Sequence, residues 1–250
     1  HAYEEGYNWI WLMDDDAEPM KNALEELIKY ANLPDAVALT PMVKKASGEI
    51  SKFHRGTFSF KRYYPSMQEP LDKAAYVKNE PVKIDFASFV GPLIKRDAIK
   101  EAGYPNKEFF IHHDDVEYCL RLNKIGQLYL VPSSIIIHKE NSTTSNAAKN
   151  GIKGRIKQRI SYNKQRIPYT KIWKSYYGKR NLAYLGNIYS TNKARFFIDL
   201  IMSWTLNIIS ITLFDDNKLN RVRFVNSAYL DGLRGIFDNE KPKRILYGKK

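Results

Sequence analysis

Apolar residues fall along this chain in alternating and helical rhythms that predict an α/β fold. The run Trp9-Ile10-Trp11-Leu12-Met13 reads as a short strand that stops abruptly at Asp14-Asp15-Asp16. Beyond Pro19, which suits the first position of a helix, Met20, Ala23, Leu24, Leu27, Ile28 and Ala31 recur at helical spacing. Residues 36–43 read as the next strand, with Pro41 predicting an edge or a strand end. Residues 50–64 are aromatic and basic, fitting a hairpin or a loop, and 65–81 fit a lid or a plain connection. Val82, Ile84 and Phe86 alternate with Lys83 and Asp85, a strand that runs into Ser88-Phe89-Val90-Gly91-Pro92. A short helix over 96–102 is stopped by Gly103.

The stretch Phe109-Phe110-Ile111-His112-His113-Asp114-Asp115 leads into a helix in which Val116, Cys119 and Leu120 share a face, and Glu117 and Arg121 are spaced to pair. Residues 127–137 form a strand region broken by Pro132 and ending at His138. A histidine in that place is either a partnered core residue, the commoner case, or a ligand. Residues 194–214 are strongly apolar, yet Arg195, Asp199 and Asn207 make a poor lone membrane span. A core helix or one lying in a membrane interface fits better. A last helix is predicted over 221–237, then a loose polar tail after Glu240.

Composition changes this picture little, and charge changes it more. The 250 residues suffice for one large or two modest domains, and a single cysteine excludes an internal disulfide or a cysteine zinc cage, which favours a reducing cytoplasm. The net charge of +13 is uneven, with 13 Lys/Arg and no Asp/Glu between 141 and 198. The organisation expected is therefore a mildly acidic domain over 1–140 and a basic, mainly helical region over 141–250. Tyr162, Tyr169, Trp173, Tyr176 and Tyr177 lace the basic run, a mixture suited to an anionic membrane surface or to nucleic acid.

Three adjacent carboxylates at the end of an apolar strand repel one another, and a bound cation compensates them. In an extended chain Asp14 and Asp16 share a face, so the two suit a hard ion such as Mg²⁺ or Mn²⁺, with Asp15 left for another partner. A solvated acidic turn is the plainer reading. At the later motif, an N-cap role explains one of Asp114 and Asp115 but not both. Gly91 permits either close approach of a ligand or a tight turn.

Taken together, WIWLMDDDAEP, FVGP, FFIHHDDVEYCLRL and IIIHKE resemble the family 2 glycosyltransferases of GT-A fold, and most of all the bacterial rhamnosyl- and galactofuranosyl-transferases of cell-surface polysaccharide assembly. The resemblance covers residues 1–140, and YYGKRN in the basic region also looks like that family's helical tail. It implies a partial GT-A, Rossmann-like sheet flanked by helices. It implies further that Asp14, Asp16 and His138 hold a Mn²⁺ or Mg²⁺ ion, that Asp15 meets the sugar or ribose, and that Asp115 is the general base. Gly91, His113 and Asp114 would border the donor or acceptor sugar. One base without a protein nucleophile implies single displacement with inversion. The partners implied are a UDP- or dTDP-sugar, a polyprenyl-linked or oligosaccharide acceptor and an anionic membrane, with the enzyme peripheral on the cytoplasmic face. Such enzymes carry a nucleotide-reading strand–helix–strand portion ahead of the metal motif, so the chain is expected to be a fragment or a degenerate copy. A metal-dependent phosphohydrolase and a basic nucleic-acid-binding module are the competing classes.

Overall fold

A computed structural model describes residues 1–61, 67–139 and 167–248. The architecture is mixed α/β with a mainly helical C-terminal region. The chain forms two compact units: one of residues 1–59, 68–106 and 114–142, the other of 60–67, 107–113 and 143–250. The expected boundary near 140 is thus crossed by two short insertions that belong with the helices. Most of the basic run, Tyr162 included, lies outside the described residues.

In the first unit the strands are β1 (Trp9–Trp11), β2 (Ala17–Pro19), β3 (Ala36–Lys45), β4 (Arg55–Phe58), β5 (Gln68–Pro70), β6 (Val82–Ile84), β7 (Phe86–Ala87), β8 (Leu93–Lys95) and β9 (Gln127–His138). The main sheet runs β1-β8-β3-β9-β2, with β6 also on β9; β5-β4-β7 form a second, small sheet. At its centre β3 and β9 are parallel, and β8 lies antiparallel to β3. The first eight residues of β3 are all buried, as both faces of a central parallel strand require. Leu27, Leu39, Leu93, Tyr129 and Val131 form the core beside it.

The two prolines act differently from expectation. Pro41 neither ends β3 nor places it at an edge, because β8 pairs only with Ala38 and Leu39 and the ladder to β9 shifts register right after Pro41. The facing strand skips from Val131 to Ile135 at the same step, so Pro132 sits in a bulge where no ladder donor is missed. Ser134 within that bulge donates to the Ala23 carbonyl, 2.7 Å away. The first helix is also shorter than its pattern. Pro19 ends β2 opposite Ile136, and the Met20 amide continues to the Ile135 carbonyl, so α1 spans only Ala23–Ile28. Helix α2 (Arg96–Ala102) ends at Gly103 as predicted, and α3 (Asp114–Leu122) carries the expected Glu117–Arg121 pair at 2.7 Å.

The second unit contains α4 (Trp173–Tyr189), α5 (Lys193–Phe214), α6 (Lys218–Arg234) and α7 (Lys241–Tyr247). Phe196, Leu200, Leu206 and Ile211 of α5 pack with Ala183, Val225 and Tyr229. By length and composition α5 is long and apolar enough to cross a membrane, though a third of its most apolar window is buried within the protein. The tail after Glu240 is not loose: α7 opens with Pro242 in its first turn, and Lys241 reaches the buried Asp231 carboxylate at 2.7 Å. That carboxylate also accepts from the Tyr176 hydroxyl at 2.5 Å, which fastens α7 to α4 and α6.

Gly91 joins the FVGP turn to the sheet. Its φ is +76°, its carbonyl accepts from the Trp11 indole at 2.8 Å, and a Cβ there would lie 2.1 Å from Ile136 Cδ1. Gly91→Ala is expected to destabilise the protein by about 1–3 kcal/mol through strain and overpacking. Urea titration checks this; an unchanged midpoint would show that the turn relaxes freely.

Candidate active site

The acidic residues meet where β1 and β9 end. Asp14 to Asp16 do not continue the strand as an alternating run but form a turn, closed by the Ala17 amide donating to the Asp14 carbonyl at 3.2 Å. That turn, and not strand alternation, puts Asp14 and Asp16 together. Pairing of Ala17 with His138 brings the end of β9 alongside, and His138 Nε2 lies 3.1 Å from Asp16 Oδ1. Ligand atoms of Asp14, Asp16 and His138 all fall within 4.8 Å of one another. The three line a cavity of about 370 Å³ together with Asp114 and Asp115, on the first turn of α3, and with Asp15, His54, Ser88, Phe89 and Val90.

Crowding sets the electrostatics. The Asp14 carboxyl is raised above the usual carboxylate range, chiefly by burial and next by the Asp16 charge. Asp115 is pushed up to about 7, first by burial and then by Asp114. Two carboxylates and an imidazole are a donor set for a divalent ion with intermediate affinity for oxygen and nitrogen, and a cation there would offset the repulsion around Asp14. The three residues therefore fit the metal expected of them.

His54 and its neighbours were missed by sequence reasoning. The His54 ring stands edge-on to His138 with centroids 5.0 Å apart, and its Nδ1 is 2.8 Å from Ser88 Oγ. Burial, followed by the charge of Arg55, holds it down to about 3, so it stays neutral. Arg55 is itself buried, and its guanidinium donates to the carbonyls of Pro41 at 2.9 Å, His54 at 2.6 Å and Val90 at 2.6 Å. It thereby ties the β3 bulge to the FVGP turn beneath the cavity. No local motif announces such a residue; only the position of Arg55 at the start of a buried strand hints at it.

Two expected site residues lie elsewhere. Gly91 is buried, and the close approach it permits is made by Ile136 and Pro41 instead of a ligand. His113 does not line the cavity; it closes the loop before α3 with φ +62°, and burial lowers it to about 4.

With this geometry in hand, comparison with known proteins is informative. A model of glycosyl transferase family 2 matches residues 1–103. Residues 1–103 are similar to that family. The match includes the aspartate turn and the FVGP stretch, and it is the family implied by the spacing of the motifs. Galactofuranosyltransferase GlfT1 of Mycolicibacterium smegmatis is 28% identical over 130 residues, which make up 50% of this chain and 42% of that protein. The chain thus spans less than half the length of this family relative. A crystal structure of GalNAc-T7 with UDP, GalNAc and Mn²⁺ aligns over 94% of the chain and 41% of its own, at TM-score 0.43 and 12% identity, a likeness too slight to assign any residue a role.

Two outcomes follow from the charges. Mn²⁺ is expected to raise the melting temperature of the wild type, because it binds only the assembled cluster. His138→Ala and Asp16→Ala should lose that shift, and a shift retained in both would place the ion elsewhere. Folding raises the proton affinity of Asp115, so its contribution to stability is fully present below about pH 4 and is lost as pH rises through about 7. Asp115→Asn, which cannot ionise, should therefore melt above the wild type, by a margin that widens from pH 5 to 7 and then levels off. A lower melting temperature at pH 8 would refute the assigned burial.

Proposed function

We propose that this chain carries the catalytic centre of an inverting, metal-dependent transferase that moves a sugar from a nucleotide-sugar donor to a glycan acceptor. The observation that carries the reading is that the Asp14–Asp16–His138 cluster and Asp115 line one and the same cavity. The likeness of residues 1–103 to the family 2 glycosyl transferases supports the reaction class.

A divalent ion held by Asp14, Asp16 and His138, Mn²⁺ or Mg²⁺, supplies charge neutralisation to the departing nucleoside diphosphate. The rest falls to the protein. Asp115 accepts the proton of the attacking acceptor hydroxyl, and a carboxylate titrating at about 7 is well matched to that task near neutral pH. Asp114 lines the same wall and raises the basicity of Asp115 by its charge. Asp15 faces the cavity as a hydrogen-bond acceptor for sugar hydroxyls. With Asp14 and Asp16 assigned to the ion, Asp15 to sugar hydroxyls and Asp115 to the proton, this reading uses no protein nucleophile, and one displacement with inversion at the anomeric carbon is the matching course.

Galactofuranose is the favoured donor sugar over rhamnose, supported by the histidine in the cluster and by the galactofuranosyltransferase relative. The acceptor proposed is lipid-linked or polysaccharide, met at the cytoplasmic face of the membrane. Two features support docking there: the basic excess of residues 141–198, and the face of α5 on which Ile198, Ile201 and Leu213 are each more than half exposed.

A screen of UDP- and dTDP-sugars with Mn²⁺, followed by release of nucleoside diphosphate and transfer to acceptor, tests the chemistry. One donor should be consumed, with Asp115→Asn at least 100-fold slower and wild-type activity falling tenfold per pH unit below about 7. Hydrolysis of simple phosphate esters without acceptor would instead mark a phosphohydrolase. In flotation assays, the protein should rise with anionic liposomes and much less with neutral ones at low salt. Equal binding to both would overturn the electrostatic part of the docking, and tight salt-sensitive binding to DNA or RNA would redirect the basic region to nucleic acid.

A further inference from the structure

Helices α5 and α6 enclose a groove of their own, built entirely within the helical unit. Leu200, Ile201 and Trp204 of α5 and Leu230 and Leu233 of α6 line it, and its volume is about 290 Å³. Asn226 and Tyr229 complete the lining, and both are engaged. The Trp204 indole donates across the helix pair to Asn226 Oδ1 at 2.6 Å. The Tyr229 hydroxyl lies 3.1 Å from Ser203 Oγ and accepts from Asn207 Nδ2 at 3.2 Å. An indole N–H carried into hydrocarbon without a partner is costly. Here that N–H is already spent inside the protein, so apolar surroundings can replace water over the ring.

The groove is continuous with an apolar stripe on α5. Phe197, Ile198, Ile201, Trp204, Ile209 and Leu213 are all exposed, and Ile201, 59% exposed, belongs to stripe and groove alike. A contiguous apolar surface of this kind marks an interaction site. Its charge pattern says with what. Between residues 194 and 214 the charged side chains are Arg195 and Asp199, which pair with each other at 3.0 Å, Asp199 being fully buried. The carboxylate of α6 is Asp231, buried and paired with Lys241, whereas Lys218, Arg223 and Arg234 of that helix are exposed. The exposed surface of the two helices therefore combines apolar side chains with cations and presents no carboxylate. A leaflet of anionic headgroups over hydrocarbon complements both features. A second copy of the chain does not, because a symmetric contact through this surface would gather the same cations from both copies.

We infer that the groove is a lipid-chain site: one acyl chain of an anionic membrane enters between Leu200 and Ile201 of α5 and Leu230 and Leu233 of α6, in contact with the Trp204 ring. The inference rests on the proposed membrane docking of this region and deepens it. Charge and an apolar face hold a protein at a bilayer without selecting a position, whereas a seated chain adds one defined contact.

The test uses the 250-residue chain and vesicles of equal parts phosphatidylglycerol and phosphatidylcholine, the latter either ordinary or brominated along one acyl chain. Bromine quenches indole emission on contact. The chain has four tryptophans, so the Trp204 share of the emission is the difference between the wild type and Trp204→Phe. Brominated vesicles are expected to lower that share at least about twofold relative to ordinary ones. Leu230→Gln should weaken partitioning into ordinary vesicles about tenfold, as expected for one leucine withdrawn from hydrocarbon, with its melting temperature unchanged. The same change at Leu219, an exposed leucine of α6 outside the groove, should alter partitioning by less than about twofold. If Trp204→Phe does not melt cooperatively, the two leucine variants carry the test. Flotation of the wild type is read first, and a wild type that does not float with these vesicles overturns the docking itself. A wild type that floats with its Trp204 emission unquenched, or with Leu230→Gln no weaker than Leu219→Gln, overturns the chain site and leaves the docking standing. Dimerisation without vesicles that Leu230→Gln abolishes overturns it in favour of a second copy.

Discussion

Repulsion among carboxylates is the constraint on which this structure turns. Asp14, Asp15, Asp16, Asp114 and Asp115 line one cavity, and the proton affinities of Asp14 and Asp115 are raised, first by burial and next by the neighbouring carboxylates. Anions do not gather unaided, so each must be carried by backbone anchored elsewhere. The turn at Asp14 hangs from β1 and β2, both of which are locked into the main sheet, and His138 arrives at the end of the longest strand, paired on both sides. Arg55 is buried in the same unit and spends its donors chiefly on the carbonyls of Pro41, His54 and Val90, so it holds the backbone around His54 and the FVGP turn. Gathering these carboxylates in one cavity is costly, and a cation near Asp14 and Asp16 or a proton on Asp115 offsets that cost.

That balance explains a division among the three imidazoles near the acidic residues in sequence or space. His138 contacts a carboxylate directly, whereas His54 is held neutral behind it by burial and by Arg55. His54 thus adds a neutral ring, in contact with Ser88, to the cavity lining. His113, by contrast, is spent on the shape of a loop.

Much of this was legible in the sequence wherever local period decides the outcome. The apolar run ending in three aspartates, the periodic face of α3 and the long apolar α5 appear as read, and Asp14, Asp15, Asp16, Asp114, Asp115 and His138 do share a cavity, whereas the single strand read through Val82, Ile84 and Phe86 is broken at Asp85 into β6 and β7, which pair in different sheets. Pairing was not legible. Pro41 and Pro132 each look like a strand break alone; only across the ladder do they form one matched irregularity that lets both strands continue. The helical spacing after Pro19 was real, yet the ladder from β2 to β9 claimed its first residues, a case of sheet pairing overriding helical pattern. The α7 helix escaped because a seven-residue polar segment has little intrinsic helicity, and its order comes from the Lys241–Asp231 pair and a few apolar contacts. Arg55 and His54 carried no motif, since a buried arginine satisfied by carbonyls leaves no trace in spacing.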